Sequence, residues 1–478
     1  MPRLQLCILT VFLCSNPVPA SPGTPGSEEG SSRPNIILAM ADDQGWGDMA
    51  YNGHPFLKTP VFDEMARTAL RFDRFYAAAP VCSPTRGSVL TGRHPVRFGC
   101  FAWGRTLRPQ EITVAEALRD AGYTTGHFGK WHLGSLRADS PVCPGKSGFD
   151  EWVSSPNFYE NNPLFCHNGK VIETKGESSE VTVDAALDWI GKVSGGDKPF
   201  LAVVWFGNPH LPHIATKKYL EMYPGQTKAQ ANFCGEITAM DAAMGKLRRG
   251  LRKLEIAENT ILWYCSDNGA LKQGSTGGLS GRKGSLLEGG IRVPAIIEWP
   301  AKIRKPRRTS VPCNTSDILP TLLEIAGVTL DKPPPLDGIS IAALLSGEMK
   351  SREKPMGFWT FPERGRGKKS RLMLQELRTE QKAGKQKAAP PEGLIEKQYP
   401  LNSFPGPAAW IDGDYKLMAG AKKKGAKGRF SLFNLAKDAA EKKDLSKKHP
   451  EKVKAMRAGL AAWQKSVLNS LNGKDYSP

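Results

Sequence analysis

From residue 34 to about 327, short apolar runs that stop at turn residues alternate with windows of helical period, a pattern that few folds satisfy. "NIILAM" (35–40), "FLAVVWF" (200–206), "TILWYC" (260–265) and "PAIIEWP" (294–300) read as strands. "TPVFDEMARTALRF" (59–72), "TVAEALRDAGY" (113–123), "QANFCGEITAMDAAMGKLRRGLRKL" (230–254) and "DILPTLLEIAG" (317–327) read as helices. In the second of these, Thr113 and Glu116 stand in capping-box relation and Gly122 is a stop. Continuously apolar strands are buried on both faces. The alternation therefore predicts an α/β fold, a doubly wound and largely parallel sheet sandwiched by helices.

After about residue 350 the pattern changes. Residues 363–398 carry ten Lys/Arg and five Glu with little apolar period, and read as a solvated loop or insertion, either a plain solvated surface or a cover over a ligand pocket that attracts polyanionic substrate. "AAWIDGDYKLMA", with its Asp-Gly turn, and "GRFSLFNL" read as hairpin strands, followed by an amphipathic helix in 449–471. These imply a smaller C-terminal α+β domain with an antiparallel sheet.

The N-terminus joins one early positive charge, Arg3, to an apolar stretch from Leu4 to Leu13 and a small-residue site at Val18-Pro19-Ala20, the pattern of a cleaved export signal. Its apolar run is too short to span a bilayer, and "VFLC" lacks the small residue expected before a lipidated Cys14. Residues 1–20 are thus expected as a signal peptide and 21–33, rich in Ser, Gly and Pro, as a flexible lead-in. The formal charge of +19 falls by only one when the signal leaves, so anionic company is expected. Export and the lack of any zinc-finger spacing or aromatic-interleaved basic groove argue against nucleic acid. The oxidising destination permits disulfides, and Cys143 and Cys166 flank a loop they could close; Cys234 and Cys265 sit in apolar or amphipathic runs that suit buried thiols.

Ligand sites in such sheets lie beyond the carboxyl ends of the strands. After the first strand come Asp42, Asp43 and Gln44; after "TILWYC" come Asp267 and Asn268; after "FLAVVWF" come His210 and His213; and "GYTTGHF" leads to Lys130 and His132. Three carboxylates and an amide are hard oxygen ligands suited to Ca²⁺ or Mg²⁺. A cation also lets adjacent Asp42 and Asp43 both ionise in a confined site. Each Asp-rich segment taken singly is equally a turn or helix cap. Lys130, His132, His210 and Lys283 add groups for a tetrahedral oxyanion, whereas His54, His94 and His127 are given structural readings.

"CSPTRGSVLTGR" (82–93) puts Cys82 at the start of a helix with Pro84 in its first turn and Gly92 at its end. Helix N-termini favour anions. Alone, the thiol is equally a buried or disulfide-linked cysteine. The stretch closely resembles the signature of type I sulfatases, in which the Cys of Cys-x-Pro-x-Arg becomes Cα-formylglycine. "PNIILAMADDQGWGD", "GKWHLG", "SDNG" and "GRKGSLLEGG" resemble further blocks of that family in order, over about residues 34–447.

The resemblance implies an alkaline-phosphatase-like fold, with a catalytic domain at 34–355 and a C-terminal domain at 356–478. It implies sulfuric ester hydrolysis on sulfated carbohydrate, and the "GFDEWVSSPN" block is similar to that of members acting on N-acetylgalactosamine or galactose 6-sulfate. By the same resemblance Asp42, Asp43, Asp267, Asn268 and modified Cys82 hold one Ca²⁺. Arg86 steadies the aldehyde hydrate, Lys130 the sulfate and His132 the formylglycine hydroxyl, while His210 and Lys283 hold sulfate and assist the leaving oxygen. A formylglycine-generating or equivalent enzyme is the implied maturation partner. Where some members place a sulfate-contacting Ser or His, this chain has Asn157-Phe158-Tyr159. Two other readings remain open at this stage: a phosphate or phosphonate ester hydrolase of the same superfamily, and a non-catalytic binder of anionic glycans.

Overall fold

The computed structural model describes residues 33–420 and 430–476. The expected signal peptide, and all of the lead-in but Arg33, lie outside the described residues. Eleven strands among them form the larger sheet: β1 (Asn35–Ala41), β2 (Leu70–Tyr76), β3 (Thr124–Lys130), β4 (Glu151–Ser155), β5 (Leu164–His167), β6 (Lys170–Glu173), β7 (Phe200–Trp205), β8 (Thr260–Ser266), β9 (Arg292–Glu298), β10 (Arg307–Thr309) and β11 (Cys313–Asn314). Their order is β10-β2-β9-β8-β1-β7-β3-β4-β5-β6, with β11 also on β2. The block β8-β1-β7-β3-β4 is parallel throughout, and β9, β5 and β6 run antiparallel to their neighbours.

Side chains of β1 alternate between two cores, which is why its sequence is apolar without interruption. Ile36, Leu38 and Met40 meet Val89, Leu90 and Leu322 on one face. Ile37, Ala39 and Ala41 meet Ile190, Ile237 and Met244 on the other. Helices cover both faces, as the alternation predicts.

Local signals hold at Thr113, whose capping box with Glu116 is formed, and at Gly92, which ends the helix Cys82–Thr91 at φ +66°. One boundary differs. The window 59–72 is helical only over Pro60–Thr68, because Leu70–Phe72 pair with β9 as part of β2. Ser178–Val193, a helix the periodicity did not single out, packs on the helix Lys228–Lys253.

A second sheet of β12 (Met356–Trp359), β13 (Ala408–Asp412), β14 (Tyr415–Ala419) and β15 (Phe430–Asn434) is antiparallel in that order. Asp412 pairs with Tyr415 across the two-residue turn Gly413-Asp414. The helix Pro450–Leu471 covers this sheet, and Leu417, Leu432, Leu460 and Leu468 form their shared core.

The basic stretch 363–398 is not simply a solvated loop. It contains the helix Ser370–Lys382, whose Leu374 and Leu377 bury beside Leu136 and Leu164. Two leucines three apart make one short apolar face, too sparse to register as a period among so many charges. Nor are Cys143 and Cys166 bridged: the Cys166 thiol donates to Leu136 O at 3.5 Å and the Cys143 thiol approaches Ala138 O at 3.9 Å. Cys234 and Cys265 are buried free thiols. No helix among the described residues is long and apolar enough to cross a membrane.

Candidate active site

Four adjacent parallel strands end on the polar residues singled out above. β1 delivers Asp42 and Asp43, β8 delivers Asp267 and Asn268, β3 ends on Lys130, and β7 leads into Asn208 and His210. Backbone bonds tie these ends together. Asp42 N donates to Asn208 O at 2.9 Å, Asp43 N to Asp267 Oδ1 at 3.0 Å and Gln44 N to Ser266 Oγ at 3.0 Å. Asp43 is held at φ +72°, a left-handed conformation costing a non-glycine residue about 1 kcal/mol or more.

Cations and acids then interleave. Lys130 Nζ donates to Asp42 Oδ2 at 2.6 Å, and Lys283 Nζ to both Asp43 oxygens at 2.5 and 2.7 Å. Arg86, fully buried one turn into the helix that starts at Cys82, donates to Asp267 Oδ2 at 2.7 Å and to Lys130 O at 3.3 Å. Its guanidinium lies over the Trp205 ring at 5.1 Å. Asn268 Nδ2 donates to Asp43 Oδ1 at 2.8 Å. Cys82 Sγ sits 3.8 Å from Asp43 Oδ1 and 3.5 Å from Lys283 Nζ. All ten predicted site residues thus gather at one sheet edge, with His132 buried beside Lys130.

His210 Nε2 faces Asp43 Oδ2 at 3.5 Å. Its Nδ1 lies 2.6 Å from Leu211 O, and a carbonyl only accepts, so the ring proton is on Nδ1 and Nε2 turns to the site. The imidazole stacks on Phe158 at 4.4 Å and 12°. Phe158 is a residue the motifs flagged only by position, without giving it a role. His213, by contrast, bonds Pro209 O and packs on Phe233, a structural place. His127 bonds Ser154 Oγ, His94 Nε2 accepts from Trp359 N, and His54 Nδ1 accepts from Leu57 N.

Charge states follow from this packing. Burial alone would raise the Asp43 carboxyl, but Lys283, His210 and Lys130 hold it well below the ordinary range. Burial, with Asp42 nearby, pushes Asp267 up to about 6 against the pull of Arg86. Lys283 loses solvation, yet Asp43 keeps it firmly protonated. Burial pushes the Cys82 thiol far up despite Lys130 and Lys283, so the unmodified side chain is a poor nucleophile near neutral pH. Burial and neighbouring cations drive His132 well down and keep it neutral.

The donor set suits a hard cation. Asp42, Asp43, Cys82 and His210 offer ligand atoms within 4.8 Å of one another. Asp42 Oδ1 and Asn268 Oδ1 are buried acceptors with no hydrogen-bond donor among the described residues. Buried orphan oxygens are costly unless something else satisfies them. Asp267 stands just outside that group, its oxygens engaged by Arg86 and by Asp43 N.

Comparison with known proteins agrees with this geometry. The Sulfatase family model matches residues 34–328. N-acetylgalactosamine-6-sulfatase of Canis lupus familiaris is 32% identical over 364 residues, covering 67% of this chain and 67% of that protein. Human arylsulfatase A is 31% identical over 373 residues, covering 70% and 72%. In fold, the crystal structure of Ps i-CgsB in complex with k-i-k-neocarrahexaose matches with a TM-score of 0.77 at 24% identity, over 91% of this chain and 93% of that one. The family model spans well over half of the chain, and the relatives exceed 30% identity over two thirds of it, so the chain belongs to the sulfatase family.

Proposed function

We propose that this sulfatase acts on sulfated carbohydrate after Cys82 has been converted to formylglycine, with a calcium ion held by Asp42, Asp43, Asp267 and Asn268 beside it. The observation that carries this reading is the contact of Lys283 with both Asp43 and Cys82, which joins the metal edge to the modified position. Resemblance of the 148–157 block to enzymes acting on 6-sulfated galactosamine or galactose, and the relative named above, support a 6-sulfated sugar as substrate.

A divalent cation there supplies positive charge against the sulfate oxygens and keeps the clustered carboxylates ionised. Formylglycine supplies, when hydrated, two hydroxyls on one carbon: one to attack sulfur and one whose deprotonation allows sulfate to be expelled. Arg86 fixes Asp267 and the backbone of Lys130, so its role is to hold the acids in register. Lys130 and Lys283 set ammonium groups where charge grows on sulfate. Lys283, protonated, is placed to give a proton to the leaving oxygen. His210 turns Nε2 to the same point, with Phe158 fixing its ring. To His132, held neutral by burial, we assign the uptake of a proton from the hydroxyl at residue 82.

An export signal at 1–20 supports a periplasmic, extracellular or lysosome-like location, and a maturation enzyme that forms formylglycine is the implied partner. Sulfate release from N-acetylgalactosamine 6-sulfate, compared with phosphate release from the matching phosphate ester on the same matured protein, tests the reaction. Faster sulfate release is expected; dominant phosphate release would refute the reading.

A further inference from the structure

A groove leads away from His132 and is built largely by the basic insertion. One part, about 350 Å³, is lined by His132, Asn157, Arg366 and Lys368 among others. A second part, about 490 Å³, shares Gly104, Thr106, Arg366, Pro390 and Glu392 with it and is also lined by Arg105, Lys397 and Tyr399. Each volume falls in the range of ligand clefts, ~300–1,000 Å³.

The basic wall is fixed in place. Arg366 N donates to Trp103 O at 2.9 Å. A Cβ on Gly104, at φ +73°, would lie 1.4 Å from Arg366 O, and one on Gly365 would lie 2.2 Å from the Trp103 indole. Two glycines therefore permit a backbone contact that any side chain would break. On its other flank the insertion is anchored by Ser370, whose Oγ accepts from Asn157 N at 2.8 Å, and by Glu392, which accepts from Ser135 N at 2.8 Å and from Ser140 Oγ.

Most charges lining this groove already have partners. Arg137 pairs with Glu380, Arg105 and Lys397 with Glu363, and exposed Lys368 with exposed Glu376. The Arg366 guanidinium has no ion pair or side-chain hydrogen bond among the described residues, and it lines both parts of the groove. A free planar cation at a fixed backbone position suits a bidentate oxyanion.

Resting on the sulfatase reading above, we propose that Arg366, with Lys368 beside it, is a specificity-determining subsite for a second anionic group, a sulfate or carboxylate on a sugar adjoining the one that is desulfated. The favoured substrate is then a polyanionic oligosaccharide and not a singly charged sulfate ester.

The test is calorimetric, on the full chain carrying Cys82→Ala so that nothing is turned over. A chondroitin 6-sulfate tetrasaccharide offers a carboxylate on the adjoining sugar, and an ι-carrageenan tetrasaccharide offers a sulfate there. Arg366→Gln should weaken binding of at least one of them about tenfold, and Arg366→Glu more, with a shallower dependence on salt. Loss on the carrageenan probe shows that a sulfate engages Arg366, and loss on the chondroitin probe alone points to the carboxylate. Equal affinity of wild type and both variants for both probes would overturn the subsite. Because binding is read without turnover, a matured wild-type chain that bound through Arg366 yet released no sulfate would refute the catalytic reading alone.

Discussion

Lys283 Nζ bridges the two carboxylate oxygens of Asp43, at 2.5 and 2.7 Å, while lying 3.5 Å from Cys82 Sγ. A single ammonium thus touches both the acidic edge and the residue to be modified. Lys283→Met should lower kcat/KM on a sulfate ester by about 10²- to 10³-fold, the usual loss for one charge-stabilising donor. Steady-state kinetics on matured protein checks this; a loss below threefold would remove Lys283 from the reaction.

Asp42 Oδ1 and Asn268 Oδ1 are buried without a hydrogen-bond donor among the described residues, and the carboxylates of Asp42, Asp43 and Asp267 crowd together there. Chelation should therefore abolish sulfate release and lower the melting temperature, and calcium should restore both better than magnesium, whose tighter octahedral shell fits an irregular set of oxygens poorly. Undiminished activity after exhaustive chelation would contradict the metal assignment.

Lys416 is buried between Glu288 and Glu441, at 3.0 and 2.9 Å, and links β14 to the segment that follows Lys283. Lys416→Met strands two buried acids and should cost about 3–5 kcal/mol in denaturant unfolding. Adding Glu441→Gln should recover part of that loss. An unchanged midpoint for the single variant would show that the trio contributes nothing to stability.

Burial pushes the His94 imidazole down to about 3, and burial, with Arg86, drives His127 well below its ordinary value. Both are neutral when folded, whereas the unfolded chain takes up protons near pH 6.5. The unfolded state binds more protons below that pH, so stability should fall as pH drops from about 6.5 toward 3, by about 1.4 kcal/mol per pH unit for each histidine. Urea midpoints between pH 7 and 4 measure the slope, and His94→Gln should flatten it. Equal slopes in both proteins would exclude His94 as a source.

Much of this site was legible because its residues follow uninterrupted apolar strands, whose ends converge in any doubly wound sheet. Asp42, Asp43, Asp267, Asn268 and His210 all arrive that way, Lys130 at the end of the mixed strand Thr124–Lys130, and Cys82 by its place at a helix start. What stayed hidden depends on distant pairing. Leu70–Phe72 continue a helical period yet become strand because β9 lies alongside. Phe158 gains its place only by stacking on His210. The insertion 363–398 looks like a solvated charge run until Trp103, remote in sequence, fixes Arg366 by a backbone bond. Cys143 and Cys166, spaced to close a loop, each bond a carbonyl of the 136–138 segment instead.

The central claim is that Cys82 is a precursor and that what replaces its sulfur performs the reaction. Mass spectrometry of the tryptic peptide 75–86, from protein made in a host that carries the maturation enzyme and is active on a 6-sulfated sugar, tests it most directly. The account predicts the mass of formylglycine at residue 82, in proportion to specific activity across preparations. An unmodified thiol at residue 82 in fully active protein would contradict it.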